Sequence, residues 1–148
     1  PIRQLATIVE ALCDYRPQFD NLAELTEQVR QRLSRMISDR YADPGGHVHV
    51  VTLDPQLEET LLIAKQQNAV LESADRTTIQ TTLGEALRRL KHDHRIPIVL
   101  TQKAIRTLVL ELAQAAEPSA VVLAASELAP RTQVRSVEIV TLKNQTSW

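Results

Sequence analysis

Apolar residues recur at three- and four-residue intervals in the first part of the chain and gather into short continuous runs in the second. Ile2, Leu5, Ile8, Val9 and Leu12 make one amphipathic helical stripe. Pro17 bars its continuation and steers Arg16 away from helix. Asp20 or Asn21 can cap a second helix, which carries Leu22, Leu25, Val29, Leu33, Met36 and Ile37 on one side. Glu24, Glu27, Arg30, Arg32, Arg35 and Asp39 occupy its other faces. Two such helices cannot bury their stripes alone and need the rest of the chain or another subunit.

Asp43-Pro44-Gly45-Gly46 is the clearest punctuation and holds two of the chain's three glycines. A subdomain boundary is expected there, with a small helical subdomain over residues 1–42, an α/β subdomain over 43–142 and a polar, flexible tail over 143–148. Past the boundary the period changes. His47 to Leu53 is rich in β-branched residues and predicts a strand. Asp54-Pro55 then opens a helix, with Asp at the cap and Pro at the first helical position, and Leu57, Leu61 and Ala64 give it an apolar side. Ser73 or Asp75 opens a longer helix bearing Ile79, Leu83, Ala86, Leu87 and Leu90. A buried strand over 98–101, a helix through Ala104, Ile105, Leu108, Val109 and Leu112, a buried strand over 120–124 and a final strand over 134–142 complete the order β-α-α-β-α-β-β. Continuous apolar strands alternating with helices predict an α/β (α+β) architecture: a mixed, partly parallel sheet with helices packed on it. The last strand follows a short loop and is expected antiparallel to a neighbour.

Composition narrows the function classes. The formal charge is −1, which argues against nucleic acid as the main partner, because phosphate binding needs a concentrated basic surface. Aromatics make up only 3% of the chain, so Leu, Ile, Val and Ala must fill the core. The single cysteine, Cys13, sits in a helical pattern among apolar residues and reads as a buried, inert thiol. No apolar stretch approaches the roughly 20 residues that span a bilayer. No signal peptide is visible, and the start at Pro1, straight into a helical pattern, suggests a fragment of something longer.

The chemistry-bearing residues form no catalytic constellation, and no catalytic, cofactor-binding or metal-binding residue is assigned. Gly45-Gly46 lacks the Lys-Ser/Thr of a phosphate loop and the third glycine of a dinucleotide fingerprint. His47 and His49 share one side of a strand, and His92 and His94 lie near a helix end; they could hold zinc only if the pairs met in space. Glu58 and Glu59 are adjacent on a helix surface and do not face each other. Ser126-Glu127 follows a buried strand, where α/β sites often form, but no partner His or Lys is evident. The basic run Arg88, Arg89, Lys91 and Arg95 reads either as a solvated helix end favoured by the dipole or as the lining of a cleft for an acidic partner.

Five segments in order are similar to one family. "PIRQLATIVEAL" resembles "IRDL-TILE-L", and "LTEQVRQRLSRMISDRY" resembles "LTE-VR-ALSR-I". "VHVVTLDPQLEETLL", "IPIVLTQKAIRTLVLELAQ" and "AVVLAASELAPRTQVRSVEIV" resemble that family's strand–helix entry, its central segment and its ending. The family is FHIPEP, the export gate of flagellar and virulence type III secretion. Gln4 stands where the family has an acidic residue, and Ala124-Ala125 replace a serine and a polar residue. The resemblance implies the last two subdomains of a C-terminal cytoplasmic part, at the cytoplasmic side of the bacterial inner membrane, below a membrane-embedded N-terminal part. It implies a nonameric ring that receives chaperone–substrate complexes and contacts the ATPase through its stalk protein, without covalent chemistry or cofactor. Arg30, Arg32 and Arg35 are then expected to face a neighbour or a sister subdomain, and Arg88, Arg89 and Lys91 to line a partner cleft. The competing readings are a small metal-binding hydrolase using the histidines and a regulatory domain sensing a ligand at the strand ends.

Overall fold

The change of period at residues 43–46 is a change of structure. The computed structural model describes residues 22–142; the helix expected over Ile2 to Leu12, Cys13, the stop at Pro17, the cap at Asp20 or Asn21 and the tail 143–148 lie outside the described residues. Helix α1 (Leu22–Tyr41) leads to strand β1 (His47–Leu53), then α2 (Pro55–Gln66), α3 (Ser73–His92) and β2 (Ile98–Thr101). A 3-10 turn (Lys103–Ile105) runs into α4 (Arg106–Ala116), followed by β3 (Val121–Ala124), a second 3-10 turn (Ala125–Glu127) and β4 (Gln133–Val140). The entry to β1 is a side-chain-braced turn. The Asp43 carboxylate accepts the backbone N–H groups of Gly45 and His47, each at 2.9 Å, and Gly46 takes a φ of 84° that a side chain would strain.

The strands lie in the order β3-β2-β1-β4 and every neighbouring pair is parallel. Alternation along them builds two cores. Val51, Leu53, Val99, Val122 and Val140 face α2, α3 and α4, meeting Leu57, Leu61, Leu83, Leu87, Val109 and Leu112. Val48, Val50, Ile98 and Leu123 face the other way, toward Leu128 and the C-terminal end of α1 through Ile37, Tyr41 and Ala42. The expected buried positions of α3 are buried, with Gly84 in addition, and on α2 Leu57 and Leu61 are buried while Ala64 is only half-buried.

Two local expectations change. Asp54 stands at the cap of α2 with Pro55 behind it, but its carboxylate makes no capping bond. It accepts instead from the Thr141 hydroxyl at 3.4 Å, while its own N–H donates to the Val140 carbonyl at 2.8 Å, so the ends of β1 and β4 are tied together. Glu58 is only half exposed, and its carboxylate accepts from the Thr101 hydroxyl at 2.9 Å and the Gln102 N–H at 3.3 Å, fixing α2 to the end of β2.

The sheet is parallel and not mixed: β4 runs alongside β1 from His47↔Gln133 to Leu53↔Val140. An antiparallel return was expected because parallel crossovers ordinarily take a dozen or more residues. Residues 125–132 manage it without a helix. They open on the Ala125–Glu127 3-10 turn and close with a second turn, in which the Thr132 N–H donates to the Ala129 carbonyl at 3.0 Å. They cross the sheet on the α1 side, with Leu128 as their buried anchor. A bulge places Val50 opposite Ser136 and Val51 opposite Glu138, leaving Val137 as an extra residue in β4.

Gly84 marks the closest approach of α3 to α4. A Cβ placed there would lie 2.6 Å from the Ala116 Cβ. Ala is the better helix former by about 1 kcal/mol, but overpacking costs about 1–3 kcal/mol. Gly84→Ala is therefore expected to lose up to about 2 kcal/mol of unfolding free energy in urea titration; a gain would mean the two helices separate easily.

Candidate functional site

Glu27, Arg30, Gln31, Ser34 and Arg35 follow the three- and four-residue spacing of one helical face. That face of α1 is turned toward the crossover, and with Ser126, Leu128, Ala129 and Pro130 it encloses a groove of about 420 Å³. Ser38, one turn further along α1, is buried and holds the opposite wall: its hydroxyl accepts the Ala129 N–H at 2.9 Å and the Thr132 hydroxyl at 2.8 Å. Neither Ser34 nor Ser38 was singled out from sequence. The available signal was two small residues one turn apart among long charged ones, where another backbone can come close. Ser38→Ala removes the acceptor of the Ala129 amide and is expected to cost about 1–2 kcal/mol. Amide exchange at Ala129 should accelerate by more than that at β1; equal protection in both proteins would count against the contact.

The sequence-selected arginines of α1 separate. Arg30 and Arg35 line the groove and Arg32 does not. Arg30 pairs with Glu27 at 2.5 Å, both side chains being well exposed, so the pair contributes at most about 1 kcal/mol. Arg35 is exposed and has no ion-pair partner among the described residues. The structure thus sets Arg30 and Arg35 against the loop of the α/β part.

The basic end of α3 is engaged within the chain. Arg88 donates to the Ala116 carbonyl at 3.3 Å, covering the C-terminal end of α4. Arg89 grips Glu138 of β4 with two parallel bonds, at 2.9 and 2.5 Å, which raises the guanidinium's affinity for its proton. Lys91 reaches Glu117 at 3.2 Å. Glu117 is buried and also accepts the Ser119 hydroxyl and, at 3.1 Å, the Ser119 N–H; these bonds, with Lys91 after them, lower its pKa to about 2.

The histidines meet only in part. His49 donates through Nε2 to Asp43 at 2.9 Å, and Arg95 lies 3.8 Å from the same carboxylate. The His47 N–H bond foremost, then the His49 ring, lower the Asp43 pKa to about 2. His94, held at a φ of 62°, shares a shallow cavity of about 240 Å³ with His49 and Asp43. Among the described residues no group of three or more His, Cys, Asp or Glu side chains is placed to hold a metal ion. Glu127 is likewise occupied, accepting the Ala124 N–H at 2.7 Å with Arg106 at 3.7 Å. None of the described helices is long and apolar enough to cross a membrane.

Residues 1–133 match the model of the FHIPEP family. The flagellar biosynthesis protein FlhA of Escherichia coli (strain K12) is 36% identical over 137 residues, which cover 91% of this chain and 20% of that protein. FlhA of Proteus mirabilis is 31% identical over 140 residues, 95% of this chain and 20% of that protein. The chain therefore spans about a fifth of the length of these relatives. Among solved structures, the Shigella flexneri MxiA protein aligns with a TM-score of 0.64 at 25% identity, over 95% of this chain and 45% of that one. The same fold is present in nonameric EPEC SctV-C, with a TM-score of 0.66 at 23% identity over 95% and 43% of the two chains. It is present again in Chlamydia pneumoniae CdsV, solved in complex with CdsO, with a TM-score of 0.63 at 23% identity over 93% and 41%.

Proposed function

The chain belongs to the FHIPEP family, and on that footing we propose that it is the C-terminal cytoplasmic end of a type III secretion export gate, whose work is docking rather than catalysis. Residues 1–42 are the helical subdomain and 43–142 the α/β subdomain, separated by the Asp43–Gly46 turn. In the complete protein they sit at the cytoplasmic face of the inner membrane, below a membrane-embedded part. Copies assemble into a ring, nonameric as in SctV-C of EPEC. The ring receives secretion chaperones with their substrates and a stalk protein of the ATPase, and the solved pairing of CdsV with CdsO supports a protein partner for this region. The observation that carries the reading is the family match over residues 1–133, joined to a fold shared with MxiA across 95% of the chain.

The site chemistry agrees with this. Its charged side chains either brace the fold or line an open groove, and the carboxylates nearest the histidines and Ser126, Asp43 and Glu127, are held in structural bonds. Arg35 has the better access for a partner, since Arg30, Arg89 and Lys91 must first leave Glu27, Glu138 and Glu117.

A chimera tests the proposal. When this chain replaces the matching fifth of the Escherichia coli relative, flagellar substrates are expected to reach the medium again in a strain lacking that protein. A chimera that accumulates normally but exports nothing, together with an isolated chain that binds neither stalk protein nor loaded chaperone in calorimetry, overturns it.

A further inference from the structure

Five arginines and lysines among the described residues are neutralised by a carboxylate within the chain. Arg89, Lys91, Arg95 and Arg106 each meet a carboxylate from another part of the chain, and Arg30 meets Glu27. Arg35 and Arg131 differ: both are exposed, and neither has an ion-pair partner among the described residues. They flank the same turn. The groove between α1 and the crossover continues past Ser38 into a second concavity of about 240 Å³, lined by Asp39, Arg131 and Thr132 and sharing Arg35 and Ala129 with the first. The Ser38 hydroxyl fixes the turn between them through the Ala129 N–H and the Thr132 hydroxyl. The groove thus has a braced wall, two uncommitted guanidinium groups and an apolar strip at Leu128, Ala129 and Pro130.

The distribution of charge selects the ligand. Glu27 and Asp39 stand in the same groove and would repel a continuous run of phosphates, and the chain as a whole carries −1. Carboxylates spaced along a peptide can meet the two arginines and pass the two acids, with an apolar side chain resting between them. Guanidinium matches carboxylate in a two-bond fork, which adds direction to the attraction. We propose that this continuous groove binds an extended acidic peptide segment of a partner protein, with its carboxylates on Arg35 and Arg131 and an apolar side chain over Leu128 and Pro130. The inference goes beyond the export-gate reading: a parent chain that binds the stalk protein but no acidic peptide would remove this proposal and leave that one.

The test uses the whole chain and a capped, fluorescein-labelled peptide of alternating glutamate and leucine, followed by fluorescence anisotropy. Saturable binding is expected, at least about tenfold tighter than for the same peptide with glutamine in place of glutamate. Arg35→Glu and Arg131→Glu should each weaken it by about tenfold, and raising the salt to about 0.3 M should weaken it further. Lys103→Glu, the same change of charge at an exposed site that lines neither concavity, should leave it unchanged. If a reversal lowers the melting temperature, Arg35→Gln and Arg131→Gln carry the same comparison. Equal affinity for the two peptides, or an equal loss with Lys103→Glu, overturns the proposal. So does concentration-dependent self-association that disappears in Arg35→Glu, which would assign the groove to a second copy of the chain.

Discussion

Leu83→Ala is expected to lower the unfolding free energy by about 2–5 kcal/mol, a large share of the roughly 5–15 kcal/mol of an ordinary domain. Leu83 is fully buried on α3 among Leu57, Leu61, Leu87 and Leu112, in the core that joins three helices to the sheet. Truncation loses the transfer free energy of the removed carbons and leaves a cavity, because the surrounding core side chains relax only in part. The melting midpoint should fall by roughly 5–15 °C. Leu22→Ala is the control: Leu22 is 68% exposed, and its change should stay within about 0.5 kcal/mol. A Leu83 variant that melted with the parent would mean that α3 does not seal this core.

The second large effect is acid destabilisation. Asp43 is lowered from 3.8 and Glu117 from 4.5, both to about 2. Each carboxylate binds its proton less readily folded than unfolded, so each contributes stability above its unfolded value. That contribution is complete above about pH 5, falls as the pH drops through the two unfolded values, and is gone below about pH 2. Urea midpoints measured from pH 6 down to pH 3 should therefore decline. Asp43→Asn and Glu117→Gln should each be less stable than the parent at neutral pH and show a shallower decline. A parent curve that stayed flat over this range would remove the assignment. The two losses should add, because Asp43 sits at the turn before β1 and Glu117 after α4, with no partner in common.

Much of the architecture was legible because it rests on local periodicity. Ile79, Leu83, Ala86, Leu87 and Leu90 repeat at helical spacing and are buried together, and the β-branched run from His47 to Leu53 forms one strand with the bounds expected. What was not legible depends on where distant segments land. The direction of β4 could not be read from loop length, because the crossover does without an α-helix and runs through a 3-10 turn and a short irregular loop anchored by Leu128. The roles of Arg88, Arg89 and Lys91 were hidden for the same reason: their partners, the Ala116 carbonyl, Glu138 and Glu117, come from α4, β4 and the turn after α4. The groove was half visible. Arg30 and Arg35 stood out as charges on a helix, but its other wall is brought by Ala129, 91 residues beyond Ser38.

The parallel pairing of β1 with β4 also governs the order in which the domain can be finished. β1 is the first strand of the sheet to be synthesised, yet one of its two neighbours is the last, and the Thr52–Glu138 contact between them spans 86 residues. Closing that separation is entropically slow, so folding should be rate-limited by a late event at the sheet rather than by its helices. Until Gln133–Val140 has left the ribosome, β1 offers an open edge lined by Val48, Val50 and Val51. The nascent chain is then most exposed to mispairing with its own kind, and protection of that edge by a holding chaperone would matter more for yield than any change in the finished core.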